Sequence, residues 1–316
     1  MHTLGIDLGG TYARAGVVDA DGRIIAAAKT ALVSRAPDAV VSSIQGAAAD
    51  ALSAAGESAA EVAACAIGLA GQLRPGGVVS VAPNLGWRDV PFGQMLAAAL
   101  GRTVRVVNDL AAAAWGEFFA GAGRGVNDIF VVFVGSGVGS SMISGGRQLV
   151  GATGVAGEFG HIKVVPGGLP CGCGERGCLE AYVGGHNLHR LMREAVDRLG
   201  AATRLQEMSG GDQAKLTSVL LEQAAELGDP AAKEIYDAAA LHLGVATANM
   251  VTVLNPARLI LGGGVINHCP GLRKKVEEAV LTYANANARG AVEVKSAALG
   301  DDAGLIGAGL LARSAA

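Results

Sequence analysis

The chain has 316 residues, a formal net charge of −3, and 51% hydrophobic against 17% charged residues. That length accommodates two domains, and that composition excludes a disordered chain. The weak acidity, with no basic stripe, excludes the electrostatic footprint of a nucleic-acid partner.

Taken in chain order, apolar alternation predicts strands over residues 3–8, 12–18 and 23–29. The loop Asp7-Leu8-Gly9-Gly10-Thr11 follows the first strand, and the Asp-Gly turn Asp19-Ala20-Asp21-Gly22 joins the second to the third. A helix over 38–54, a strand over 63–70, a helix over 92–100, a strand over 104–107 and a helix over 110–119 complete the first half. The plan then restarts. A strand over 129–134 leads into Gly135-Ser136-Gly137-Val138-Gly139, followed by a strand at 140–144, a turn at Gly145-Gly146 and a strand at 148–150. Helices at 180–195, 216–226 and 231–251 precede a strand at 258–261 that enters Gly262-Gly263-Gly264. A helix at 272–286, a strand at 291–295 and a closing helix at 305–312 end the chain. Two halves built alike predict a duplicated α/β domain. No Pro/Ser-rich linker separates them, so they are expected to face each other across a ligand-binding cleft.

The N-terminus enters its strand without a basic or long apolar leader. No uninterrupted apolar run reaches the ~18 residues of a membrane span, so no membrane partner is expected. Three of the five cysteines are grouped and the others lie far apart, which reads as a reduced, cytoplasmic protein.

Glycine is the compositional outlier, with 48 residues. There is no Gly-x4-Gly-Lys-Ser/Thr segment, which excludes a Walker-type phosphate loop. Gly135-x-Gly137-x-Gly139 leads into a strand and not a helix, which argues against a dinucleotide fingerprint. What remains is a pair of glycine hairpin loops at matched places. Successive N–H groups at Gly9, Gly10 and Thr11, and at Gly135, Ser136, Gly137 and Gly139, can hold phosphate oxygens. Asp7 is placed to hold Mg²⁺ through water. Gly262, Gly263 and Gly264 offer a flat floor for an adenine, or make a simple strand–helix turn.

Residues 158–180, EFGHIKVVPGGLPCGCGERGCLE, carry His161, Cys171, Cys173 and Cys178, bounded by Glu158 and Glu180. One imidazole and three thiolates form a complete tetrahedral set for structural Zn²⁺. The alternatives are reduced core cysteines or a disulfide, and a Cys171–Cys173 bond would be badly strained. Asp109, after Asn108 at a strand's carboxyl end, suits a base that accepts a hydroxyl proton in phosphoryl transfer, or an N-cap for the next helix. Asn84, Asn108, Glu158, His161 and Glu180 supply the hydrogen-bonding side chains that a sugar's hydroxyls require.

Together these segments resemble the ROK family of the sugar-kinase/actin/heat-shock-70 superfamily. The carriers are Asp7-Leu8-Gly9-Gly10-Thr11, Asn108-Asp109, Gly135-Ser136-Gly137-Val138-Gly139, Glu158-Phe159-Gly160-His161, the cysteine knuckle with Glu180, and Gly262-Gly263-Gly264. The resemblance spans the whole chain. It implies two actin-like (ribonuclease H-like) domains: residues 1–114 with 300–316, and residues 115–299 carrying the knuckle. It implies Asp109 as the base for a sugar 6-hydroxyl, with Asn84, Asn108, Asp109, Glu158, His161 and Glu180 at the sugar. It also implies loops that hold ATP and Mg²⁺, a structural Zn²⁺, and a homodimer. The expected activity is ATP-dependent phosphorylation of a hexose, glucose foremost, with N-acetylmannosamine, N-acetylglucosamine, allose and fructose as rivals. A sugar-binding regulator is a more distant reading. Two departures from the family pattern are visible: Ser140-Ser141 after the second loop, and Gly68-Leu69-Ala70-Gly71 without a proline.

Overall fold

The computed structural model describes residues 2–56, 61–62 and 64–313. The chain forms two compact units, residues 1–126 with 141–156 and 297–316, and residues 127–140 with 157–296.

The first unit opens with β1 (Thr3–Leu8), β2 (Tyr12–Val18), β3 (Ile24–Ala31) and α1 (Pro37–Ala55). It continues with β4 (Cys65–Leu69), β5 (Gln72–Arg74), β6 (Val78–Ala82), β7 (Trp87–Val90), α2 (Phe92–Leu100), β8 (Val104–Asn108) and α3 (Asp109–Phe119). Residue 63, where the fourth strand was expected to begin, lies outside the described residues. Local chemistry sets the boundaries. Pro37 opens α1, and Gly56 closes it in the left-handed region at φ 69°. β4 is buried at every position, as a central parallel strand must be, whereas β3 alternates strictly between half-buried and exposed. The sheet order is β3-β2-β1-β4-β8, antiparallel through the β1–β2–β3 hairpins and parallel across β1, β4 and β8. A separate three-stranded antiparallel sheet, β5-β6-β7, was not expected.

The chain continues through β9 (Ile129–Val134), β10 (Val138–Ser144), β11 (Arg147–Gln148), α4 (Glu180–Val183), α5 (Gly185–Leu199), α6 (Arg204–Ser209) and α7 (Ser218–Glu226). Next come α8 (Pro230–Leu254), β12 (Arg258–Gly262), α9 (Gly264–His268), α10 (Pro270–Tyr283), α11 (Ala286–Ala291) and β13 (Glu293–Ser296). The second five-stranded sheet runs β11-β10-β9-β12-β13. Its order repeats that of the first sheet position for position, as a duplicated plan requires. The expected helix over 180–195 is two helices, because Gly184 leaves the helical region at ψ 136°.

α8 is long and apolar enough to cross a membrane by length and composition. It packs on α10 and α7 and buries eleven of its residues, among them Leu243, Ala246 and Val251. This is the pattern of a core helix.

The last element, α12 (Ala303–Ala312), returns to the first unit and lies on α3 and β1. The turns on either side of this packing are tied by Glu117, which is fully buried. Its Oε1 accepts from the amides of Ala298 and Leu299, each at 2.8 Å, and its Oε2 from that of Ala122 at 2.8 Å. Glu117→Ala removes the acceptor from three partly buried donors, and a buried donor left unpaired costs at most about 1–3 kcal/mol. The substitution is expected to lower the first unit's stability by roughly 2–3 kcal/mol in urea denaturation. A loss below ~1 kcal/mol would mean that the amides find other acceptors.

Candidate active site

In the first unit the parallel register sets the site. Asp7 pairs with Gly68 and Gly68 with Val107, while Leu69 pairs with Asn108. The carboxyl ends of β1, β4 and β8 therefore lie level, and Asp7 and Asp109 emerge at the same edge, about two strand spacings or ~10 Å apart. This is the end at which open α/β sheets bind ligands. The hairpin loop Gly9-Gly10-Thr11 starts here, closed by Gly9 N–H donating to Tyr12 O at 3.0 Å. Asn84 is exposed and sits against Gly10, whose Cβ, if present, would lie 3.7 Å from Asn84 Cβ.

Burial raises the Asp7 carboxyl above its ordinary range; Arg14 opposes this and Asp301 adds to it. Arg14 itself donates to Asp301 O at 2.8 Å and to Asp302 Oδ1 at 2.6 Å. A carboxylate short of compensating charge beside a glycine hairpin loop is suited to a hydrated cation.

The capping role considered for Asp109 belongs to Asn108. Asn108 Oδ1 accepts from Leu110 N–H at 3.0 Å and Ala111 N–H at 3.2 Å, and its Nδ2 donates to Gly71 O at 3.3 Å. Asp109 is the first residue of α3, with Oδ1 accepting from Leu110 N–H at 2.9 Å.

In the second unit, β9 and β12 run parallel with Gly262 beside Phe133, so Gly135-Ser136-Gly137 and Gly263-Gly264 share one edge. Gly139 was expected in the loop but lies buried inside β10. Gly262 ends β12, and Gly263, at φ 88°, makes the turn into α9. Any side chain at Gly263 would strike Val134.

The loop is held by the knuckle acid. Glu180 Oε2 accepts from Val138 N–H at 2.9 Å, and a Cβ on Gly137 would collide with that same oxygen. The N-terminus of α5 adds Gly185 N–H to Gly135 O at 2.8 Å and His186 N–H to Ser136 O at 3.0 Å.

His161, Cys171, Cys173 and Cys178 converge: their ligand atoms all lie within 4.8 Å of one another. Cys171 Sγ is 3.7 Å from His161 Nδ1, and Cys173 Sγ is 3.7 Å from Cys178 Sγ. A tetrahedron with metal–sulfur bonds of ~2.3 Å has edges of ~3.8 Å, so these spacings fit a zinc-sized ion. The turn that gathers the thiols is tight, with Cys171 N–H donating to Glu175 O at 2.8 Å and Gly174 N–H to Cys171 O at 3.1 Å. Beneath it, Cys171, Cys178 and Ala181 pack with Leu169 and Tyr182.

Burial pushes the Cys171 thiol up to about 12. Burial acts on Cys173 in the same direction, but the Glu175 amide and hydrogen bonds from Cys171 and Cys178 outweigh it and lower that thiol. Such a set holds protons that a metal would release on binding. His161 Nε2 faces Glu158 Oε2 at 3.6 Å, so one ring nitrogen looks to the tetrad and the other to an acid. Lys163 had no role in the sequence reading, yet its Nζ donates to Cys178 Sγ at 3.0 Å. Only the antiparallel bridge between Lys163 and Cys178 reveals it.

The repeated β-β-β-α sheets with glycine hairpins define an actin-like phosphotransferase fold, and the comparisons place it more narrowly. The ROK family model matches residues 3–315, and the chain belongs to the ROK family. A glucokinase of Streptomyces coelicolor is 35% identical over 317 residues, covering 98% of this chain and 97% of that one. An N-acetylmannosamine kinase of Escherichia coli O157:H7 is 32% identical over 318 residues, covering 99% of each. The crystal structure of a ROK family glucokinase from Streptomyces griseus in complex with glucose and AMPPNP is 35% identical. It superposes with a TM-score of 0.80 over 99% of this chain and 100% of that one.

Proposed function

We propose that the chain is an ATP-dependent hexose kinase that phosphorylates the 6-hydroxyl of glucose. The observation that carries this reading is the level placement of Asp109 and the Gly9-Gly10-Thr11 loop at the carboxyl ends of β8 and β1. Near-complete similarity to a glucokinase crystallised with glucose and AMPPNP supports it.

Phosphoryl transfer needs positioning and charge neutralisation more than covalent chemistry. Asp109 accepts the 6-hydroxyl proton as the sugar's 6-oxygen attacks the terminal phosphorus, and the bond from that phosphorus to the bridging oxygen breaks so that ADP leaves. Asn84, Asn108, Glu158, His161 and Glu180 orient the sugar, although Asn108 and Glu180 have already committed part of their hydrogen-bonding capacity. The backbone N–H groups of Gly9, Gly10 and Thr11, and of Gly135, Ser136 and Gly137, hold phosphate oxygens. Gly262, Gly263 and Gly264 lie at the nucleotide's base. Asp7 would hold a hydrated Mg²⁺, which would neutralise phosphate charge. His161, Cys171, Cys173 and Cys178 would hold Zn²⁺, which would fix the turn between Glu158 and Glu180.

The reading extends to a cytoplasmic homodimer. A second acceptor, N-acetylmannosamine, is favoured by the full-length likeness to the E. coli kinase. The test is a coupled assay with ATP over glucose, allose, fructose, N-acetylglucosamine and N-acetylmannosamine, repeated with polyphosphate as donor. Glucose with ATP is expected to give the highest kcat/KM. A higher value for N-acetylmannosamine would replace glucose as the substrate, and no turnover with any sugar would leave the regulatory reading.

A further inference from the structure

We propose that Lys29, steered by the ring of Tyr12, is a donor-side cation that binds the terminal phosphates of the nucleoside triphosphate at the first glycine loop. The proposal rests on the reading that this loop holds phosphate.

Lys29 lies on β3, and three observations point it at the loop. Its Nζ stands 3.9 Å from the centroid of the Tyr12 ring. Tyr12 immediately follows Thr11 and is 44% exposed, so its ring lies at the loop's mouth and not in the core. The end of β3 is tied to the loop by Leu32 N–H donating to Thr11 O at 2.9 Å.

The register supplies the electrostatics. Asp7 pairs with Arg14, and Arg14 with Lys29, so the three stand in one row across β1, β2 and β3. Directly paired residues share a sheet face, and Tyr12, two positions before Arg14, shares it too. In this row Arg14 is consumed by Asp301 and Asp302. Among the described residues Lys29 makes no ion pair, and its recorded partner is an uncharged ring. A cation–π contact at an exposed site is weak, enough to bias the rotamer without neutralising the charge.

The loop's own donors, backbone N–H groups and the Thr11 hydroxyl, are neutral, and Asp7 repels phosphate. Among the described residues of this row, Lys29 is the positive charge without a carboxylate partner that an arriving triphosphate meets. A compact ammonium is a point-charge ligand for phosphate. Lys29 also lies on the edge strand of the sheet, where lysines guard against edge-to-edge pairing. That role needs the charge but no nucleotide, so the two are separable.

The test uses the full chain with Lys29→Met and Lys29→Arg, measuring AMPPNP affinity by calorimetry together with KM for ATP and for glucose. Lys29→Met is expected to weaken AMPPNP binding and raise KM for ATP by about tenfold or more. KM for glucose is expected to stay within about twofold, and Lys29→Arg to retain most of the affinity. AMPPNP affinity for Lys29→Met within about twofold of wild type overturns the proposal and leaves Lys29 as an edge guard. Failure of wild type itself to bind AMPPNP would overturn the kinase reading, and this proposal with it.

Discussion

Asp109→Asn is expected to lower kcat by about 10²–10⁴-fold, the span of general-base catalysis, while sugar affinity and zinc content stay near wild type. The structure strengthens the test by removing its main confounder. Had Asp109 capped α3, its replacement would have loosened the helix and the site together. The cap is Asn108, which takes the Leu110 and Ala111 amides, and the Asp109 contact to Leu110 N–H can be kept by an asparagine oxygen. The variant therefore removes proton acceptance while leaving the cap of α3 in place. Steady-state kinetics with a saturating sugar, alongside calorimetric sugar binding, separates chemistry from affinity. A kcat within about tenfold of wild type would place the base elsewhere.

Much of this arrangement was legible in the sequence where local rules decide. β1, β2, β9 and α2 begin and end where alternation, glycine turns and flanking residues place them. The duplicated strand order follows from the repeated strand–loop–strand–turn–strand plan. The tetrad was visible because four metal ligands of the right type crowd one segment.

What escaped is long-range. β5, β6 and β7 are three to five residues long and interrupted by Gly76-Gly77 and Pro83-Asn84, so no period can develop. The break at Gly184 reflects the approach of its backbone to Ser136 O, a neighbour about fifty residues away in sequence that no local propensity encodes. Glu180 read as a sugar ligand at the end of the knuckle. That it also fastens Val138 became apparent only when the loop and the knuckle were brought together.

The tetrad invites the second large effect. Cys173→Ser is expected to abolish stoichiometric zinc and to raise KM for glucose about 10–100-fold, with a smaller fall in kcat. Cys173 is the exposed member of the set, so serine leaves no core cavity, and loss of function would report the metal and not packing. The path from the proposed metal to the proposed sugar site runs through two residues. His161 turns Nδ1 toward Cys171 and Nε2 toward Glu158, so an unligated imidazole loses its fixed orientation and tautomer. Glu180, with Oε1 4.0 Å from Cys171 Sγ and Oε2 on the Val138 amide, links the tetrad to the second glycine loop. A loosened knuckle therefore disturbs both the acids assigned to the sugar and the loop assigned to phosphate. Stripping the wild type with a chelator should reproduce the defect, and restoring zinc should reverse it, since apparent binding energies near 10–16 kcal/mol make such sites part of the fold. Full activity and an unchanged KM after metal removal would show that the tetrad is remote from the chemistry.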